Sequence, residues 1–139
     1  MTRRALLMMP LPLAVCFGAD PAQEVLDLIT SAAASLSAGN AAAFLTAFDP
    51  AMPGYEKLRA NVTALQDQAE VQSFIDLLED EGDDRRRTVE LDWVLRIRRE
   101  QEATASRREQ RVKCRLEKTG RKWRIVALEP LEFFAPTGA

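Results

Sequence analysis

TVELDWVLRIR, residues Thr88 to Arg98, decides the fold. Val89, Leu91, Trp93, Leu95 and Ile97 alternate with Thr88, Glu90, Asp92, Val94, Arg96 and Arg98. Successive side chains on a strand point to opposite faces, so this period of two predicts a long strand buried on one side. The same pattern returns downstream. Val112, Cys114 and Leu116 alternate with Arg111, Lys113, Arg115 and Glu117, and after Thr119-Gly120 a last strand carries Trp123, Ile125 and Ala127, with Arg124 on the other face at its start. Near Val126 and Leu128 both faces turn apolar, which predicts cover on both sides. A polar stretch near Gln101 to Ser106 joins the first two of these strands, and the order predicts an antiparallel meander.

Upstream the period changes. Asp20-Pro21-Ala22-Gln23 is a helix start, with Asp20 as cap, Pro21 at the first helical position and Gln23 completing a capping box. Val25, Ile29, Ala32 and Leu36 follow at helical spacing, and Gly39 supplies a left-handed stop. Asn40 caps a short second helix in which Phe44 and Phe48 share a face, until Asp49-Pro50 ends it. The loop DPAMPGY leads to a third helix through Leu58, Val62 and Leu65, to about Gln68. From Glu70 to Glu81 helix propensity and strand pattern compete. The run VQSFIDLL, ending at Gly82-Asp83-Asp84, is assigned as a strand.

The chain has 139 residues, 47% hydrophobic and 29% charged, enough for one domain with its own core and too few for two. Its first residues pair Arg3 and Arg4 with an apolar run from Ala5 to Val15, the layout of a secretory leader. That run is shorter than the roughly 20 residues a stable membrane span needs. The expected division is a leader at 1–18 and a domain at 19–139, exported to the periplasm or secreted. Lipid anchoring at Cys16, in LAVC, is the alternative. With the leader removed Cys114 stands alone, so no intramolecular disulfide holds the domain. The net charge is −2, which gives no reason to expect a nucleic-acid partner. It is unevenly spread: residues 20–84 hold 13 acids and 2 bases, whereas residues 85–139 hold 15 bases and 8 acids. An acidic half packed beside a basic one is expected.

Three helices followed by long strands resemble the nuclear transport factor 2-like superfamily, the cystatin-like α+β cone. The resemblance rests on the N-terminal helix, on SAGNAAAFLTAFDP, on the hairpin through VELDWVLRIR and on the closing GRKWRIVALEP. It implies N-terminal helices packed on a curved, mainly antiparallel sheet. Such a cone holds a small apolar ligand, hosts catalysis or supports dimerisation, in members that include ketosteroid isomerase, polyketide cyclases, scytalone dehydratase and non-catalytic binding domains.

The chain contains no histidine, which excludes Ser-His-Asp and Cys-His nucleophile systems and histidine metal sites. No metal or other cofactor is implied. The wall on the Trp93 side carries no carboxylate, since alternation turns Asp92 away. The expected role is therefore non-catalytic binding, in the cone, of an apolar small molecule or a protein partner, with Phe44, Phe48, Tyr55, Trp93, Leu95, Cys114 and Trp123 as candidate ligand-binding residues. A homodimer is a further expectation from the resemblance. The alternatives are an isomerase or cyclase using Asp49 and Tyr55 at the mouth, and a purely structural dimerisation module. The opposite sheet face is basic through Arg96, Arg98, Arg111, Lys113, Arg115, Lys122 and Arg124, and lacks the aromatic residues that stack single-stranded nucleic acid. Phe133 and Phe134 lie beyond Pro130, where the ladder weakens, and at least one of them is expected to fold over the edge or mouth of the cone.

Overall fold

The computed structural model describes residues 20–136, so the expected leader and Cys16 lie outside the described residues. Asp20 caps α1 (Pro21–Ser37) by accepting the Ala22 amide at 3.1 Å. Gln23 does not close a capping box. Its side-chain amide donates to Asp27 at 2.9 Å, one turn on, the i,i+4 pairing that a helix surface favours. The helix ends before Gly39, whose φ of 74° makes the left-handed turn.

Asn40 caps α2 (Ala41–Leu45), which is shorter than the sequence predicts. Residues beyond it are drawn to the last strand: the Ile125 amide donates to Ala47 O at 2.8 Å and the Asp49 amide to Ile125 O at 2.9 Å. These bonds make a parallel bridge at Phe48. The Phe44 and Phe48 rings still meet, with centroids 5.0 Å apart. Helix α3 (Tyr55–Gln68) buries Leu58, Val62 and Leu65, the three positions its spacing selects.

Four strands follow: β1 (Ala69–Gly82), β2 (Arg86–Arg99), β3 (Ser106–Thr119) and β4 (Lys122–Glu129). They form one antiparallel sheet in the order β1-β2-β3-β4, so the contested stretch is a strand. Its inner face sets Val71 against Ile97, Leu77 against Leu91, Leu91 against Val112 and Leu116 against Ile125. Bulges near Leu78 and Val126 break the register and bend the sheet. A short 3₁₀ helix (Leu131–Phe134) closes the described chain.

Helix α1 crosses the inner face from β4 to β1 and is held at both ends. At its start Glu24 accepts from Trp123 Nε1 at 2.9 Å and meets Lys118 Nζ at 3.5 Å. At its end Ser37 Oγ accepts the Ser73 amide at 2.8 Å. One core then forms between helices and sheet, from Val25, Ile29 and Leu36 to Trp93, Leu95 and Ile125.

The acidic half does pack beside the basic half: Glu70 pairs with Arg98, Asp80 with Arg87 and Glu24 with Lys118. The Asp80–Arg87 pair is the most enclosed, at 2.8 Å with side chains 11% and 12% exposed. Arg87 also donates to Asp83 O, which ties the pair to the β1–β2 turn. Asp80→Ala takes the paired carboxylate from that nearly buried guanidinium and leaves it the Asp83 carbonyl, and is expected to lower unfolding stability by about 2–3 kcal/mol in urea denaturation. Glu56, exposed and paired with Arg59 on α3, should change stability by less than about 0.5 kcal/mol when replaced by Gln.

Candidate functional site: the interior of the cone

The sequence-selected rings converge. Phe44 touches Phe48, and meets Phe134 at 5.5 Å and Trp93 edge-on at 6.5 Å between centroids. Trp93 and Phe134 stand in T-shaped contact at 5.1 Å. Phe133 packs edge-on against Phe134, outside the central cluster. Both phenylalanines are buried. Phe134 thus fills the space that Phe44 and Trp93 would otherwise present to a ligand.

One polar contact lies among these rings. The Trp93 indole donates from Nε1 to Ser73 Oγ at 2.7 Å, and Ser73 is the one buried polar residue among those described. A buried indole N–H needs an acceptor, and Ser73 occupies the inward phase of β1 between Val71 and Ile75. A serine at an apolar position of VQSFIDLL was the signal that could have found it. Arg108 was also missed. It lies on the inward phase of β3 and donates to Phe133 O and Ala135 O, strapping the 3₁₀ segment across the cone. Burial lowers its pKa from the ordinary arginine value.

The other candidates are spread over the wall and rim. Leu95 and Cys114 are fully buried on the inner sheet face, and burial pushes the Cys114 thiol up to about 12. Its neighbours Lys113 and Arg115 point outward, so no cation offsets the burial. Trp123 is committed to Glu24 at the start of α1. Tyr55 is half-buried at the start of α3, packed on the edge of the core. Asp49 accepts the Ala51 amide at 2.9 Å, so its carboxylate closes a local turn. The interior therefore combines hydrocarbon, rings, one thiol and one hydroxyl, and the hydroxyl already serves the indole.

Open grooves occur at the rim. One of about 510 Å³ lies between Glu70, Gln72, Arg96, Arg98 and residues 103–105, and another of about 440 Å³ between Ser37, Gly39, Gln66 and residues 69–72. On the outer face Arg96, Arg98, Arg111, Lys113, Arg115, Lys122 and Arg124 are exposed. Phe74 sits on the same face at 51% exposure, opposite Val94. The hydrogen bond that Asp92 shares with Glu109 raises the Asp92 carboxyl above the ordinary range, and partial burial with the charges of Glu109 and Asp76 adds to the shift. Among the described residues no group of three acid or thiol side chains is placed to hold a metal ion, and no helix is long and apolar enough to cross a membrane.

No family model and no curated protein matches the sequence. Solved structures do match in shape. A nuclear transport factor 2-like protein of unknown function from Shewanella oneidensis is 11% identical with a TM-score of 0.62, over 78% of this chain and 97% of that one. A protein of unknown function with a cystatin-like fold from Nostoc punctiforme is 18% identical with a TM-score of 0.56, over 77% and 86%. A hexachlorocyclohexane dehydrochlorinase is 11% identical with a TM-score of 0.63, over 77% and 81%. Helices laid across a bulged antiparallel meander, with these matches in shape, give this chain the nuclear transport factor 2-like, cystatin-like fold.

Proposed function

We propose that the protein is an exported, non-catalytic binding domain that takes a protein partner on its sheet while the interior of the cone stays packed. The observation that carries this reading is Phe134, seated between Phe44 and Trp93 where an apolar ligand would lie. The nearest hydroxyl is already bonded and Asp49 is turned into its own loop, so no acid-base pair faces that space. Titration with indole followed by calorimetry, and with anilinonaphthalene sulfonate followed by the dye's own fluorescence, should give no saturable binding. One-to-one binding of either probe by the unaltered protein overturns the reading.

A second reading keeps the small apolar ligand, with Phe44, Phe48, Tyr55, Trp93, Leu95, Cys114 and Trp123 around it. It is favoured by the way the plug is held: Arg108 grips two carbonyls, and no strand ladder holds the segment. Such a ligand would enter as Phe134 leaves. A homodimer is the other form a protein partner could take, with half-exposed Phe74 and its neighbour Val94 as the apolar centre of the contact.

A further inference from the structure

The outer face reads as rows of charge that run across the strands. In register Asp92 faces Arg111 and Glu90 faces Lys113, and Arg111 reaches diagonally to Glu90 at 3.6 Å, so the β2 acids have cations beside them on β3. On the other side the rows fail. Asp76 lies directly opposite Asp92 and Glu79 opposite Glu90, two like-charged cross-strand pairs of the kind that destabilises a sheet. Among the described residues no further strand lies beyond Asp76 and Glu79, because β1 is the edge of the sheet. Neither acid has a cation within ion-pair distance among the described residues, and Asp76 contributes to the raised Asp92 carboxyl.

The backbone of the same edge is partly open. Ser73 turns its N–H and C=O outward, where Ser37 Oγ meets both. Alternation turns the groups of Ile75 and Leu77 to the same side, and among the described residues nothing hydrogen-bonds them. Leu77 and Leu78 are exposed beside them, at 39% and 40%. From Ile75 to Asp84 the chain carries six acids and no base. Pairing two copies of this edge would bring the six acids of one beside the six of the other, which disfavours a second copy as the occupant. An added strand with cations beside Asp76 and Glu79 would complete both rows.

We propose that the edge of β1 from Ile75 to Asp80 is a docking strip for an extended segment of another protein, which adds as a fifth strand with Lys or Arg beside Asp76 and Glu79 and apolar residues over Leu77. This names the partner chemistry for the protein-binding reading above and rests on it. The added backbone supplies the missing hydrogen bonds, and the alternating cations select the sequence.

An alternating Lys-Val octapeptide is the probe. Added to the full domain at low salt, it should shift the amide resonances of residues 75–81 saturably, with a dissociation constant below about 1 mM. An alternating Glu-Val octapeptide should not bind, nor should the Lys-Val peptide methylated on alternate backbone nitrogens. Asp76→Asn with Glu79→Gln should weaken binding about tenfold while leaving the melting temperature equal or higher, because it removes both like-charged pairs. Absence of binding by the Lys-Val peptide up to about 1 mM overturns the proposal, as does equal binding of the methylated peptide or no loss in the double variant. A variant that melts lower overturns the claim that these rows lack a cation. Sedimentation without peptide covers the remaining occupant: a dimer that shields the 75–81 amides assigns the edge to a second copy and also overturns the proposal. Saturable binding of indole in the cone would instead sink the protein-binding reading and leave the peptide result to stand by itself.

Discussion

Phe134→Ala is expected to lower unfolding stability by about 3–5 kcal/mol in urea denaturation, the largest loss of any single truncation considered. Phe134 is fully buried and touches Phe44, Trp93 and Phe133, so its removal forfeits both transfer energy and ring contacts. The space left behind is walled by rings and cannot hydrogen-bond a water, so it should stay dry and take up benzene or indole. A melting temperature that rises with added benzene in the variant, and not in the parent, would locate the cavity. Arg108→Met keeps the rings and removes only the strap on the Phe133 and Ala135 carbonyls. It should loosen the terminal segment, seen as faster amide exchange there, with a smaller loss of stability. If Phe134→Ala costs less than about 1 kcal/mol, the ring is not part of the core.

The second large effect appears only at alkaline pH. Burial holds the Cys114 thiol protonated up to about 12, whereas the unfolded thiol ionises near its ordinary value of about 9. Between those values the unfolded state alone releases the proton. The stability due to the protonated thiol is complete below about pH 9 and is lost as pH rises towards about 12, at about 1.4 kcal/mol per pH unit and about 4 kcal/mol in all. Cys114→Val removes the ionising group at similar volume. The difference in unfolding free energy between parent and variant should therefore be flat below pH 9 and grow steadily above it. Thiol reagents should leave Cys114 of the native protein unmodified at pH 8 and label it at once in denaturant, and rapid native labelling of Cys114 would contradict the burial.

Much of the fold was legible because its two halves obey different periods. The inward residues of β2, β3 and β4 are those that alternation picks out, and the α1 and α3 positions at helical spacing are the buried ones. Where reading failed, a contact distant in sequence had overruled a local rule. Helix α2 stops at Leu45 because Ile125 bonds to both Ala47 and Asp49, and nothing within AAAFLTAFDP announces a partner some eighty residues away. The interior was half legible. Hydrophobic pattern marks Phe44, Phe48 and Trp93 as inward, but it cannot say whether inward rings surround a space or fill it. That depends on where Phe134 lands, and landing is set by the turn after Glu129 and by Arg108, a charge on an inward phase that pattern alone treats as an exception. Ser73 escaped for a related reason: its value lies in the indole it serves, twenty residues on in the neighbouring strand.

The position of Phe134 also orders events in time. Synthesis proceeds from the N-terminus, so α2 and β2 emerge well before the ring that seals them together. Until residue 134 clears the ribosome, Phe44 and Trp93 face a gap and the sheet lacks its Arg108-held closure. The nascent chain can form helices and hairpins early, since those contacts are local, yet its core stays open until residue 134 arrives. A holding chaperone that recognises exposed aromatic side chains would find its target until then and lose it when Phe134 docks.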